Sequence, residues 1–364
     1  MNEVIIMIHG MWCGAWVWDN YKAFFEDKGY LCVTPTLRYH ESTPNAVPDH
    51  RLGKVSLLDY ADDLEKLIRR FDSPPILMGH SLGGLLAQIL ASRGLAKAVI
   101  LLSPASPRGI MGLRPSVVKS FWSTLTKWQF WKKPMNQTFN EVSYSMLELL
   151  PPQDRQKIFK KLVHESGRVA FEIGFWYLDL KQAAKVDESQ VTCPVLIMVG
   201  TKDKITPASV TRNIAEKYKS VATFKEFEKH AHWIVGESGW EIIAMDASAW
   251  LDKVLNIEQI LVMPHVEQRN YKRISFQTPV IFSNNQLGIH SQGESRNYSL
   301  SGVQFMTETA LKQGADIDLK LIEIAPGFNG PQPNAGHKAE VIWCKRKKDT
   351  SYDIGARFYE LGRS

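Results

Sequence analysis

A parallel β-sheet covered by helices on both faces, interrupted by a helical insertion and followed by a small antiparallel β-barrel, is the α/β architecture that this 364-residue sequence predicts. Three observations carry it. Up to residue 102, short apolar, β-branched runs alternate with helical patterns, the rhythm of strands buried between layers of helix. Between about 105 and 190 the strand signals stop, and helical, aromatic and basic patterns replace them. From 257 onward the texture changes to short strand-like pieces spaced by Gly, Asn and Asp, as in small barrels.

In chain order, VIIMI (4–8), YLCVT (30–34), PILMG (75–79) and AVILL (98–102) are the first predicted strands. Leu57, Tyr60, Ala61, Leu64, Leu67, Ile68 and Phe71 recur at helical spacing behind Ser56-x-x-Asp59. That is a capping-box pattern, so 57–71 is expected to be an amphipathic helix packed on the sheet. After the insertion the strand rhythm resumes at PVLIMVG (194–200), followed by a helical run near 207–219, the strand-like ATFKEF, and a helix from Trp240 to about Leu255. PVIF, SGVQFM, IDLKLIEI, AEVIWC and GARFYE supply the barrel. The expected domains are 1–256, with the insertion at 105–190, and 257–364.

Hydrophobic residues make up 44% and charged residues 23% of the chain, the balance of a globular protein with real cores. The N-terminus, MNEVIIMIHG, lacks the basic segment and the apolar core of about 7 to 15 residues that mark a signal peptide. No later stretch reaches the roughly 18 apolar residues of a membrane span, so a cytoplasmic protein without a transmembrane segment is expected. The four cysteines form no C-x-x-C pair, which points to reduced thiols and no metal. The formal charge is +6, and residues 105–190 alone contribute +5. This is too sparse for a nucleic-acid partner.

The first chemical signal is Gly79-His80-Ser81-Leu82-Gly83-Gly84, which follows the apolar run PILM and precedes LLAQILASR at helical spacing. G-x-S-x-G alone arises by chance about once in ten chains of this length. Its setting between strand and helix raises it, because a tight, strained turn needs small residues at both ends to lift a serine hydroxyl to the sheet's edge. Asp203 follows PVLIMVG, and His232 follows ATFKEF. In this order and setting, residues 1 to about 256 resemble an α/β-hydrolase, whose catalytic serine, acid and histidine come in that sequence along the chain.

The resemblance implies that Ser81 is a nucleophile, His232 its general base and Asp203 the group that orients the imidazole. It also implies that the backbone N–H groups of Leu82 and of Met11, in His9-Gly10-Met11-Trp12, form an oxyanion hole. His230 is the rival base, while Asp187 and Asp246 are poorer acids. His9 is read as a loop brace, His80 as part of the turn and His40 as a core or loop residue. The insertion matches a helical cap, in which Trp122, Trp128, Trp131 and Trp176 are candidates for walls of an apolar acyl pocket or for core.

In the last domain, Arg269-Asn270-Tyr271-Lys272-Arg273 reads R-x-x-x-R, and Asn297-Tyr298-Ser299-Leu300-Ser301-Gly302 reads N-x-S-x-x-G. Together, on a small barrel pattern, they resemble a PilZ domain over about 264–362, a family that binds cyclic di-GMP. Two guanidinium groups on an arm can clamp phosphate bidentately and stack on guanine. By the resemblance, Arg269 and Arg273 form that clamp, Asn297 and Ser299 hydrogen-bond the nucleotide at the barrel surface, and Gly302 permits the turn.

The reading is thus a serine hydrolase, of carboxylesterase or lipase type, acting on a small apolar acyl ester and needing no catalytic cofactor. Cyclic di-GMP is its expected regulatory ligand, and the PilZ-like domain offers a surface for a protein partner. The alternative is a cyclic di-GMP-responsive signalling adaptor in which the hydrolase fold is mainly an interaction platform. Acyl transfer and C–C hydrolysis use the same residues and stay open at this stage.

Overall fold

Five apolar runs and the strand-like ATFKEF become parallel strands: Val4–Ile8, Leu31–Val33, Ile76–His80, Ala98–Leu102, Val195–Gly200 and Ala222–Phe227. They lie in the order second, first, third, fourth, fifth, sixth. The computed structural model describes residues 3–41, 46–262, 274–275, 277–284, 288–299, 302–322, 335–347 and 350–359. Alternate side chains of each strand enter two cores: Ile6 and Ile8 join one, with Leu57, Tyr60 and Leu64, whereas Ile5 and Met7 join the other, with Trp18, Tyr21 and Trp250. Burial on both faces explains why the four central runs are continuously apolar, whereas the edge strand ATFKEF is only partly buried and keeps Lys225 and Glu226.

The chain divides into two units, Met1–Gln259 and Ile260–Ser364. In the first, Ser56 caps the helix Leu57–Ile68 through the expected box, with its own N–H donating to Asp59 at 2.8 Å. This helix ends earlier than its periodicity predicts. Arg70 and Phe71 donate instead to Leu67 and Ile68 at 3.1 and 3.0 Å, a tighter turn that still packs Phe71 on the core. The helix starting at Trp240 continues to Val262 rather than stopping near Leu255. No proline or glycine interrupts the sequence before Pro264, so nothing in it stops the helix earlier.

The insertion enters after the fourth strand and leaves before the fifth. It carries five helices, Pro115–Ser120, Trp122–Leu125, Phe139–Ser145, Pro152–Phe159 and Gly167–Gly174, and a two-residue ladder pairing Pro134–Met135 with Glu165–Ser166. Buried hydrogen bonds tie it to the sheet unit, among them the following. Val163 donates to the Trp12 carbonyl at 2.8 Å, the Trp12 indole donates to Met135 O at 3.2 Å, and the Glu172 carboxylate accepts the Leu57 N–H at 2.8 Å.

The second unit is a closed barrel of six antiparallel strands: Pro279–Asn284, Ile289–Ser299, Gly302–Thr307, Asp316–Leu321, Gly336–Arg346 and Tyr352–Phe358. Its core holds Val280, Phe282, Phe305, Leu319, Val341 and Ile354. The strand Ile289–Ser299, IHSQGESRNYS, has no apolar run and is invisible to periodicity. It forms because neighbours pair with both its edges, from Asn284 opposite Ile289 to Gly302 opposite Ser299. Closure of the barrel overrides its weak intrinsic preference. Among the described residues no helix is long and apolar enough to cross a membrane.

Candidate active site and nucleotide site

Ser81 sits between the strand Ile76–His80 and the helix Leu82–Ser92 with φ 52° and ψ −115°. A non-glycine residue is strained there by about 1–3 kcal/mol. The glycines around it are dictated by space. A Cβ on Gly79 would lie 2.2 Å from the Gly83 carbonyl oxygen, and one on Gly83 would lie 2.0 Å from that of Ile8. Helix and strands therefore approach to backbone contact, which brings the serine to the carboxyl edge of the sheet. Gly83→Ala is expected to lower the stability of the first unit by about 2 kcal/mol through overpacking, read by urea unfolding.

Asp203 and His232 follow the fifth and sixth strands at the same edge. The Nδ1 atom of His232 lies 2.8 Å from Asp203 Oδ2, with both side chains buried. The carboxylate also accepts the N–H groups of Ile205 and Thr206 at 2.8 Å and the Thr206 hydroxyl at 2.9 Å. Burial alone would raise the Asp203 pKa, but the charge and hydrogen bond of His232, with the Thr206 N–H, hold it below the ordinary value. An ionised Asp203 only accepts, so Nδ1 carries the imidazole proton and Nε2 keeps the lone pair.

The neighbouring histidines have other partners. His230 faces Glu237 at 3.2 Å rather than Asp203. His80 Nε2 donates to the His232 carbonyl at 2.9 Å, and burial followed by the nearby His232 lowers its pKa to about 3. His9 takes the Leu37 N–H on Nε2 at 3.0 Å, bracing the loop before Met11. Sequence reasoning missed Thr206 and Glu237. The single Thr206 hydroxyl proton has Asp203 Oδ2 at 2.9 Å and the Ser103 carbonyl at 3.1 Å as acceptors, and Asp203-x-x-Thr206 was its only trace. Glu237 accepts the Ala231 N–H at 2.9 Å beside His232, and burial pushes its carboxyl up to about 7.

Ser81 and Met11 share a pocket of about 770 Å³, mouth included, walled by Leu113, Val117, Phe121, Leu125, Ile173 and Phe175. Leu82 opens the helix, where backbone N–H groups have no intrahelical partner. The tryptophans considered for the walls are elsewhere. Trp122 and Trp128 are 61% and 78% exposed, Trp131 packs on Phe130 and Phe171, and Trp176 lies under Arg108. The walls come instead from smaller side chains on the helices Pro115–Ser120, Trp122–Leu125 and Gly167–Gly174 and their flanks, because those helices face the sheet's edge.

In the barrel, Asn297 donates to Gln304 at 2.9 Å, and Gln304 donates to Asp353 at 3.0 Å, a polar row across three strands. A register shift between Ser295 and Asn297 bulges the strand there. Ser299 is buried at 1% exposure rather than standing on the surface, and its hydroxyl lies 3.5 Å from Gly302 O. Gly302 is required by space and not by its turn: a Cβ would meet the Ala356 carbonyl oxygen at 2.3 Å. Arg269 and Arg273 lie outside the described residues.

The model of the Alpha/beta hydrolase family matches residues 5–245, and that of the PilZ domain matches 267–364. Protein ABHD8 of Bos taurus is 23% identical over 248 residues, 65% of this chain and 53% of its own length, so the chain spans about half of that relative. The (E)-2-((N-methylformamido)methylene)succinate hydrolase of Acinetobacter baylyi is 24% identical over 255 residues, 69% of this chain and 91% of that protein. The monoacylglycerol lipase of Paleococcus ferrophilus superposes with TM-score 0.51 at 21% identity, covering 68% of this chain and 93% of its own. Tomato methylketone synthase I does so at 0.53 and 17%, covering 70% and 99%. At such identities the shared property is the fold. With a family match spanning well over half the sequence, the chain belongs to the alpha/beta hydrolase family and carries a PilZ domain at residues 267–364.

Proposed function

We propose that the protein is a serine hydrolase of ester or related acyl bonds whose PilZ domain binds cyclic di-GMP and regulates it. The observation that carries the enzymatic reading is the buried pair Asp203–His232 at the sheet edge where Ser81, strained at its turn, opens into an apolar pocket. His232 Nε2 takes the Ser81 proton as Oγ attacks the acyl carbon. The negative charge that gathers on the carbonyl oxygen is met by the N–H groups of Met11 and Leu82. Collapse returns that proton from His232 to the leaving alcohol, and water, deprotonated by His232 in turn, hydrolyses the acyl-serine. Asp203 stays ionised throughout and stabilises the imidazolium.

The test is labelling by a fluorophosphonate, which reacts with activated serines. Wild-type protein is expected to label and Ser81→Ala is not; an unlabelled wild type would leave the adaptor reading. Thr206→Val, which removes one hydroxyl from Asp203 without changing shape, is expected to lower kcat about tenfold with KM unchanged, consistent with one lost hydrogen bond to a charged group.

For the nucleotide, Arg269→Ala and Arg273→Ala are each expected to weaken cyclic di-GMP binding by about 10- to 100-fold in calorimetry, as loss of charge-assisted bonds predicts. Lysine at either position keeps charge but loses the fork, so it should rescue little. Regulation is read separately, as aryl ester turnover with and without nucleotide. Equal rates would remove the regulatory claim and leave the enzyme.

A further inference from the structure

We infer that the exposed tryptophan and lysine face of the cap docks on an anionic lipid bilayer and admits acyl esters from it to the Ser81 pocket. The inference rests on the hydrolase reading for the last step only. From 105 to 140 the sequence holds Arg108, Arg114, Lys119, Lys127, Lys132 and Lys133 and not one acidic residue. All but Arg108 are exposed. Among the described residues none of them pairs with a carboxylate: Lys119 lies 4.0 Å from the Tyr144 ring centroid, and Lys133 donates to the Trp128 carbonyl. Elsewhere on the first unit many basic side chains are paired, as Lys97 is with Glu3 and Lys217 with Glu188.

Among these cations stand two indoles. Trp122 and Trp128 are 61% and 78% exposed, which is unfavourable in water for side chains of this size. An aromatic body with cations around it is the composition that seats a protein in the interface of an anionic membrane. Both indoles are also linked to the pocket wall through packed apolar side chains. Trp122 lines an open groove with Arg114, Val118, Lys119 and Leu113, and Leu113 belongs to the pocket wall as well. From Trp128 a series of rings runs inward through Trp131 at 6.4 Å, Phe171 at 6.0 Å and Phe175 at 5.7 Å, and Phe175 is again pocket wall.

This linkage favours a bilayer over an acidic protein. A protein needs only the surface, whereas apolar side chains packed from the surface indoles to the pocket wall suit a substrate whose acyl chain is already in lipid. Each cation near an anionic surface is worth about fivefold in partitioning, so the face is strongly selective for charge.

The experiment is co-sedimentation of the full chain with vesicles of phosphatidylcholine alone or with phosphatidylglycerol, beside turnover of water-soluble p-nitrophenyl acetate. Binding is expected only with phosphatidylglycerol, falling with salt. Trp128→Ala and Lys127→Glu/Lys132→Glu should each weaken it about tenfold or more while leaving p-nitrophenyl acetate turnover unchanged. Absence of binding to the anionic vesicles, or charge-reversed protein binding as well as wild type, overturns the proposal. Vesicle binding without any ester turnover by wild type keeps the docking face and removes the hydrolase reading instead.

Discussion

Ser81→Ala is expected to reduce kcat/KM for a short aryl ester by about 10⁴- to 10⁶-fold, with circular dichroism unchanged. The size follows from chemistry: without the hydroxyl no acyl-enzyme forms, and what survives is catalysis of direct water attack by the remaining groups. Asp203→Asn should cost about 10⁴-fold, because an amide can donate and so permits the wrong imidazole tautomer. A second readout separates function from folding. Ser81→Gly removes the Cβ that makes φ 52° costly, so it should be equally inactive yet melt higher, by an amount corresponding to about 1 kcal/mol or more. A variant that loses activity and stability together would mean that the strained turn serves the fold instead.

Glu165→Gln is expected to destabilise the first unit by about 3 kcal/mol in urea unfolding. Glu165 is buried with no exposure, 3.1 Å from His40 Nε2. It also accepts the Tyr60 hydroxyl at 2.9 Å and the Ser166 N–H at 2.6 Å. Replacing the carboxylate leaves these donors poorly matched in a dry site between the cap ladder and the helix Leu57–Ile68. Burial opposes the charge on both partners, but their attraction outweighs it: His40 is raised above its ordinary value of 6.5 and Glu165 lowered below 4.5. The signs define a window. The contribution of Glu165 is complete above about 4.5 and lost as pH falls through its lowered value. That of His40 is complete below about 6.5 and lost as pH rises through its raised value. The stability gap between wild type and Glu165→Gln should therefore be widest from about pH 4.5 to 6.5 and narrow on either side. A gap independent of pH would mean that the pair is neutral.

Much of the architecture was legible because burial on two faces leaves its mark as uninterrupted apolar runs. The strands VIIMI, PILMG, AVILL and PVLIMVG and the capped helix behind Ser56 all lie where that pattern puts them. The turn at Ser81 was legible for a steric reason, since only glycine fits where a Cβ would strike the Ile8 or Gly83 carbonyl. Less legible were elements that depend on partners distant in sequence. IHSQGESRNYS has the composition of a loop and becomes a strand only because the barrel closes through it.

The sequence by itself determined the order strand–turn–serine–helix, the candidate acid and histidine in their family order, the helical insertion and the small barrel carrying Asn297, Ser299 and Gly302. Only tertiary structure decided that His232 and not His230 meets Asp203, that Thr206 shares that carboxylate, and that Leu113, Phe121 and Phe175, not the tryptophans, wall the pocket. The physical reason is directional. Periodicity reports which side of an element is dry, but a hydrogen bond or a cavity wall depends on where side chains come to point, whether they are three residues apart, as Asp203 and Thr206 are, or far apart in the chain. His40 and Glu165, 125 residues apart and joined in one buried pair, are the plainest case.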